Sequence, residues 1–482
     1  MDADVIIIGS GMGGASLAAG LAGSGKKVLV LERGERLPDS PEARDAEAIF
    51  GRSHFKSDEH WYDPEGRSFH PGNYYMAGGN TKFYGAVVLR YRAEDFRPLK
   101  HLEGTTPGWP YGYEELEPWY CKAEKLYEVR GALYHDMTEP PHSEPYPFPP
   151  VPDEPSVADL ARRLRAQGLN VGPVPLAVDI DKWLKRAPTT WDAFPDTTGA
   201  KKDAEGVLNK ALLSPNVTLR TGARVTRLLA EKGRVTGVQL GAEVLRAPVV
   251  CLCAGAVQST VLLLESGLAN SSDQVGRNFM NHNISAVIAY SPFRRNTSVY
   301  EKTIGFNDWY LTGGPGGAPL GNVQMLGRIT GPIMAAEAGL PRWFAGHYAD
   351  HSMHMMTMSE DLPMPDSRVL WQNGRIVLQW KRSNFKAHQI LTDRLKSVLR
   401  KAGWPLVLSK TYEKKLPSHQ MGTARMGLDP RTSVVTPDLK AHDLENLYIV
   451  DASVLPTSAA VNPSLTIAAL ALRAAAHIGA QS

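Results

Sequence analysis

The first 34 residues constrain this chain more than any other stretch. They read Asp4-Val-Ile-Ile-Ile-Gly9-Ser-Gly11-Met12-Gly-Gly14, then an Ala- and Leu-rich run to Leu21, then Val28-Leu-Val-Leu31-Glu32-Arg33-Gly34. The β-branched run Val5 to Ile8 has the look of a strand buried on both faces of a parallel sheet. Ala15 to Leu21 has helical composition, and Val28 to Leu31 reads as a second buried strand. The unit is therefore strand, glycine turn, helix, strand, with an acid 18 residues after Gly14. Each glycine has its own job: Gly9 permits a tight turn, Gly11 lets backbone approach a pyrophosphate, and Gly14 lets helix and strand pack closely. Unsatisfied N–H groups at the helix N-terminus favour phosphate oxygens, and Glu32 suits ribose hydroxyls while disfavouring a 2′-phosphate.

Such a unit at the very start of the chain favours FAD over NAD as the dinucleotide. A near match to a phosphate-binding loop, Gly20-Leu-Ala-Gly-Ser-Gly25-Lys26-Lys27, lacks the final Ser or Thr and sits where a helix ends. It reads as a glycine C-cap followed by a solvated loop.

A chain of 482 residues is expected to form two or three structural units, and 43% hydrophobic with 21% charged residues is ordinary for a globular protein. The net charge of +3 leaves no electrostatic footprint for nucleic acid or an anionic membrane surface. Cys121, Cys251 and Cys253 are too few for a disulfide framework and lack the spacing of a redox or zinc motif, so all three are expected reduced in the core. No apolar run reaches the ~18 residues of a membrane helix. The first strand begins by Asp4, too early for a secretory leader ahead of it, so the expected location is cytoplasmic.

Residues 35–75 are polar and irregular and read as loop or lid; Pro140 to Pro155 is too rich in proline for a helix or central strand. Val157 to Leu169 reads as an amphipathic helix. Regular segments resume at Val217 to Arg220, Ala223 to Leu228, Val235 to Leu240 and Val249 to Gly255. Alternating strand patterns follow, among them Arg368 to Trp371 and Arg375 to Trp380, then a helix near Ala387 to Lys401. His347, His351 and His354 are spaced i, i+4, i+7, but no companion carboxylate motif makes them a metal site; the Met-rich text around His354 reads as strand. There is no GxSxG, so hydrolase chemistry has no support.

Six stretches together resemble the glucose–methanol–choline (GMC) family of FAD-dependent oxidoreductases. They are the N-terminal unit through Glu32-Arg33-Gly34; Ala77-Gly78-Gly79-Asn80-Thr81-Lys82-Phe83-Tyr84-Gly85-Ala86, similar to the loop running past the isoalloxazine; Trp109 to Tyr120; Val249 to Gly267; Val275-Gly276-Arg277-Asn278 through His282; and the C-terminal pair His419-Gln-Met-Gly422-Thr423 through Gly427 and Asp451-Ala452 through Asn462-Pro463-Ser-Leu-Thr466-Ile. The resemblance implies an α/β fold: a Rossmann-like FAD domain assembled from 1–100, 205–285 and 415–482. A substrate domain with an antiparallel sheet would be drawn from 101–204 and 286–414.

It also implies roles. Oxidising an alcohol requires loss of the hydroxyl proton and departure of hydride to flavin N5, and an alkoxide-like oxygen is the better hydride donor. His419 would be the base and Asn462 the partner that orients the oxygen, the His/Asn form of the family's pair. Asn462 could also cap a helix beginning at Pro463, whose N–H groups would face the flavin N1–C2=O edge. The cofactor contacts implied are Gly9, Gly11, Met12, Gly14, Glu32, Arg33, Gly78 to Thr81, Phe83 to Ala86, Val225, Ala254, Gly255, Asp451, Ala452, Asn462, Pro463 and Thr466. Some sugar-oxidising relatives tether FAD through a histidine where this chain has Phe83, so noncovalent FAD is expected; Asn80 stands where Ser is more usual. Glu360 to Val369 resembles a strand-bend of sugar-oxidising relatives or is simply a turn. The expected activity is oxidation of a primary or secondary alcohol, plausibly a sugar, glycoside or polyol, to the carbonyl. Oxygen or another acceptor would take the electrons, with no nucleic acid or membrane partner. A flavin-dependent lyase, or a flavoprotein subunit needing an electron-transfer partner, are the alternatives.

Overall fold

A computed structural model describes residues 1–133, 135–186, 194–413 and 419–481. The expected domain boundary at 415 lies outside them. The N-terminal β-branched run forms the middle of a five-stranded, all-parallel sheet, in the order Leu447–Ile449, Val249–Leu252, Val5–Ile8, Val28–Leu31, Val217–Arg220. All four residues of Val5–Ile8 are buried, as a central parallel strand requires. Helix Met12–Leu21 packs against the C-terminal helix Ser464–Gly479, and Tyr113–Leu126 packs on the latter's other side. A three-stranded antiparallel meander, Arg227–Glu231, Arg234–Leu240 and Glu243–Leu245, is attached beside this sheet.

The second layer is a six-stranded antiparallel sheet in the order Leu406–Thr411, Asn283–Tyr290, Ser352–Ser359, Asn322–Met325, Ile304–Phe306, Gly172–Pro173. Two-residue alternation splits its methionines between faces. Met353 and Met355 join Val287 and Ala289 under helix Phe385–Lys401, while Met356 and Met358 join Ile284, Ala286 and Leu326 on the other face. Ile284, Leu326 and Met356 line a large cavity that also reaches Ile8, Leu31 and Cys253 at the carboxyl ends of the parallel strands. That is where open α/β sheets receive ligands.

Several expectations need adjustment. The amphipathic helix is Pro155–Arg165, shorter than expected, with Pro155 in its first turn. The stretch Ala223 to Leu228 is not one strand: regular pairing begins at Arg227, and residues 223–226 leave the sheet to line the cavity. The first helix stops at Leu21 with Ala22 as C-cap in the right-handed region, so the expected glycine cap is absent and Gly25, at φ +75°, turns the loop. His347 lies on helix Arg342–Asp350 and its Nε2 meets the Tyr290 hydroxyl, whereas His354 lies on the neighbouring strand with Nδ1 2.7 Å from Glu301. His354 therefore lies apart from His347 and His351, whose rings pack together with centroids 4.4 Å apart. Cys121, Cys251 and Cys253 are buried thiols. Among the described residues no helix is long and apolar enough to cross a membrane.

Candidate active site

The cavity has a volume of about 560 Å³ and its two ends are built differently. At one end the material is backbone. Gly9 takes φ +101°, and a Cβ there would lie 2.4 Å from Cys253 O; a Cβ on Gly14 would lie 2.0 Å from Gly9 O. These two glycines are required by the turn and by helix packing. Gly11 is different, because a Cβ there meets nothing within 4 Å and would project into open space. Among the described residues the N–H groups of Met12, Gly13 and Gly14 find no acceptor. An open cradle lined by helix N–H groups without acceptors suits a pyrophosphate.

Glu32 faces the same space. Its Oε2 accepts from Ser10 N at 3.0 Å and Ser10 Oγ at 2.7 Å, and its Oε1 accepts from Gly34 N at 3.0 Å. A carboxylate offers about four acceptor sites, so one remains for a ribose hydroxyl. Ser10 Oγ also accepts from Gly78 N at 3.1 Å, tying the glycine turn to the 78–86 loop. That loop is anchored from behind by Lys82, whose buried Nζ lies 2.9 Å from both Asp203 and Glu205. Gly79, Asn80, Thr81, Phe83, Tyr84, Gly85 and Ala86 consequently line the cavity beside Arg33. Asn80 Oδ1 accepts from Tyr74 N at 3.0 Å, and Phe83 stacks on Tyr74 with ring centroids 3.7 Å apart. Val225, Ala254, Gly255 and Ala452 complete this part of the wall. Asp451 also lines it, but its carboxylate is occupied by Gly255 N, Ser259 Oγ and both Ser453 donors, so it organises the wall's backbone. Three implied cofactor contacts are absent from the lining. Gly14 packs behind the turn, Gly78 faces Glu205, and Thr466 is fully buried with its hydroxyl 2.8 Å from Tyr120.

At the other end the material is side chains from distant segments. Residues 419–424 and 275–282 lie side by side through reciprocal Met280–Met421 backbone bonds of 3.0 Å and Gly276 N to Thr423 O at 2.7 Å. Gly422 makes the approach possible: at φ +88°, a Cβ would lie 2.3 Å from Asn278 O. The pairing puts His419 beside His282, Nδ1 to Nδ1 at 2.8 Å, with His419 N donating to Asn281 Oδ1 at 3.2 Å. His419 is half-buried and lines the cavity.

The protons on this histidine pair can be assigned from their partners. His282 Nε2 faces two carbonyl oxygens, Ser458 O at 2.8 Å and Ala459 O at 3.0 Å, so Nε2 carries the hydrogen. Burial pushes His282 down to about 4, so its Nδ1 is a lone pair at neutral pH. His419 Nδ1 must then donate, which leaves the lone pair of His419 on Nε2. No described residue occupies that nitrogen. Burial, followed by the nearby His282 and Lys302, holds His419 well below the ordinary imidazole range. The ring is an uncharged acceptor.

The carbonyls that fix His282 are themselves held. Ala459 sits at φ +52°, unusual for a residue with a side chain, and its N donates to Glu360 Oε1 at 3.2 Å. Ser458 Oγ bonds both backbone groups of Asp361, whose carboxylate in turn accepts from Asn281 N at 2.9 Å. The Glu360-Asp361 pair thus clamps both segments flanking the histidines. Asn462 also lines the cavity, and its Oδ1 accepts from Gln324 Nε2 at 3.0 Å. It does not cap the following helix: Pro463 occupies the N-cap position of Ser464–Gly479, and no side chain caps it. Ser10, His282, Gln324 and the Glu360-Asp361 clamp carried no assigned role in the sequence. His282 lies inside a motif quoted there, so a histidine entering a buried strand was the available signal.

Comparison with known proteins bears on the family and the fold. Residues 158–284 and 376–471 each match a family model described as GMC oxidoreductase, and residues 7–75 match an NAD(P)-binding Rossmann-like domain. The chain is 32% identical to the 6'''-hydroxyparomomycin C oxidase of Streptomyces lividus, across 99% of this chain and 92% of that one. It is 28% identical to the 2-methyl-1,2-propanediol dehydrogenase of Mycolicibacterium austroafricanum, across 98% and 95%. Its fold is similar to the crystal structure of a pyridoxine 4-oxidase from Mesorbium loti, with a TM-score of 0.68 at 20% identity over 98% of both chains.

Proposed function

Because this chain belongs to the GMC oxidoreductase family and is an FAD-dependent oxidoreductase of CH–OH groups, we propose that His419 takes the hydroxyl proton of the substrate alcohol while Asn462 holds the same oxygen. FAD, when bound, supplies the hydride acceptor at flavin N5. The residues fit it: the cradle at Gly11 to Gly14 for the pyrophosphate, Glu32 for a ribose, the 78–86 loop and the Ser464–Gly479 helix start for the ring system.

One observation carries the assignment of roles. His419 Nε2 and Asn462 Nδ2 have no protein partner among the described residues, and both residues line one cavity. One is an acceptor and the other a donor, the complement of a hydroxyl group. Asn462 donates to the oxygen as charge grows on it, and His419 accepts the proton; a positioned base of this kind is typically worth about 10²–10⁴ in rate. The wall there is apolar at Ile284, Leu326 and Met356 and polar at Lys302, Tyr412 and Gln420, suiting a polyol or sugar with a carbon skeleton to pack and hydroxyls to bind. The names of the two relatives, an oxidase of 6'''-hydroxyparomomycin C and a dehydrogenase of 2-methyl-1,2-propanediol, support a hydroxyl-bearing substrate.

Phe83 packed on Tyr74 offers no nucleophile to the flavin, which favours noncovalent binding. The same reading divides the chain into a cofactor domain of 1–100, 205–285 and 415–482 and a substrate domain of 101–204 and 286–414. It places the protein, with its three unpaired thiols, in the cytoplasm. The test is a panel of alcohols, sugars and polyols added anaerobically, with oxygen and a dye acceptor in parallel arms. Bleaching of the flavin band with carbonyl formation supports the reading; product without bleaching would make the chain a lyase. Denaturation should release the flavin to the filtrate.

A further inference from the structure

We propose that Asp136, Asn307, Asn322 and Gln324 form a polarised relay that fixes the Asn462 amide with its Nδ2 toward the cavity, making Gln324 a positioning residue for the reaction. The inference rests on the role given to Asn462 above. An amide can face either way, and which end points into the cavity decides whether two acceptors or an acceptor and a donor meet the alcohol. With Oδ1 inward, His419 and Asn462 would compete for the single hydroxyl proton. With Nδ2 inward, each satisfies one half of the hydroxyl.

The orientation is set from outside. Asp136 is an acceptor only: Arg92 and Thr138 donate to it, and although burial opposes its charge, Arg92 and these donors hold its carboxyl below the usual range. Asn307 must therefore give it Nδ2, as it does, which leaves Asn307 Oδ1 free to accept. Asn322 Nδ2 donates to that oxygen at 2.8 Å, and Asn322 Oδ1 accepts from Gln324 Nε2 at 2.9 Å. The second hydrogen of Gln324 Nε2 goes to Asn462 Oδ1 at 3.0 Å, leaving Asn462 Nδ2 for the cavity.

Reversing Asn462 would set Gln324 Nε2 against another donor. Reversing Gln324 in turn would oppose its oxygen to that of Asn322, and so on until an amide oxygen faced the Asp136 carboxylate. Strand geometry supplies the alignment. Asn322 and Gln324 share one face of strand Asn322–Met325, and Asn307 directly follows the neighbouring strand Ile304–Phe306. The three amides between Asp136 and Asn462 are buried, Asn322 and Gln324 being at most 1% exposed and Asn307 7% exposed. Gln324 Oε1 is buried without a hydrogen-bond partner. A glutamine retained with an unpaired oxygen is explained if its two N–H groups are what the site uses.

The relay can be read directly and kinetically. Neutron diffraction from perdeuterated crystals of the holoenzyme should show the Asn462 deuterons pointing into the cavity; deuterons pointing at Gln324 would overturn the proposal. For kinetics, Gln324→Glu and Gln324→Leu are compared with wild type by anaerobic flavin reduction, using the best alcohol from the panel. A neutral Glu side chain at 324 donates one proton to the Asn322–Asn462 pair, whereas its carboxylate only accepts and turns the Asn462 amide around. Flavin reduction in Gln324→Glu should fall about 100-fold at pH 9, comparable to the loss of one transition-state donor, and recover at least tenfold toward pH 6. Wild type should show no such rise. Equal, pH-independent losses in both variants would mean that Gln324 only packs, and would overturn the relay. Thermal unfolding and flavin content check that both variants fold. Should no alcohol bleach the wild-type flavin, the oxidation reading falls while the neutron map still decides the amide's orientation.

Discussion

The two ends of the cavity are made by opposite strategies. The cofactor end is founded on backbone from one contiguous stretch, residues 8–33, where glycines clear space and a helix terminus supplies N–H groups, and the 78–86 loop with residues 223–226, 254–255 and 451–452 completes its wall. The catalytic end uses side chains of residues more than a hundred positions apart, such as His282 with His419 and Gln324 with Asn462. The first kind of site is specified by local conformation and fails by sterics. The second is specified by chains of donors and acceptors and fails by losing an orientation while the fold survives.

The sharpest way to break that comparison is within the glycine turn itself. Gly14→Val should abolish soluble, folded protein, because even a Cβ would lie 2.0 Å from Gly9 O. Gly11→Val should leave the apoprotein's unfolding temperature unchanged, since a Cβ there meets nothing within 4 Å, yet lose FAD affinity about 100-fold or more in a titration. Equal damage from the two substitutions would contradict the division between packing and ligand clearance.

At the catalytic end, His282→Phe removes the group that gives His419 its tautomer. Flavin content should persist while the rate of flavin reduction falls by about 10²-fold, within the span typical for a base in place. Loss of flavin in parallel with rate would assign His282 to structure alone.

A gentler probe is the pH profile of wild-type flavin reduction. The base acts unprotonated, and burial holds His419 well below the ordinary range. As pH falls, the protonated, inactive form therefore appears later than for a free imidazole. The rate should stay level from pH 8 to below 6.5 and decline only in more acidic solution; a break at or above 6.5 contradicts this. The smallest effect belongs to the 78–86 loop at the cofactor end. Asn80→Ala removes one hydrogen bond to Tyr74 N, which should cost about 1 kcal/mol in chemical denaturation and change turnover little.

The same contrast explains what the sequence disclosed. The strand–turn–helix unit is legible because its physics is local: buried branched residues, a positive-φ glycine, an acid at the end of the next strand. His419 and Asn462 stood out only through motifs shared with a family, since nothing near either residue reveals which distant group it meets. Ser10, between two glycines, has no signature of its own in the sequence, although its hydroxyl joins Glu32 to the 78–86 loop. The family resemblance implies Thr466 as a cofactor contact, yet helix geometry turns it toward Tyr120. The Ala223 to Leu228 segment alternates like a strand, but cavity lining takes its first four residues out of the sheet. Gln324 is invisible to periodicity, since a polar residue at a buried strand position is recognisable only once its partners are in place.

The central claim is that an uncharged His419, with its free lone pair facing the cavity, removes the proton that lets hydride leave. Anaerobic stopped-flow bleaching of the flavin in His419→Ala against wild type tests it most directly. A fall of about 10²–10⁴ in the bleaching rate with full FAD occupancy is the predicted result, and bleaching at the wild-type rate would contradict it.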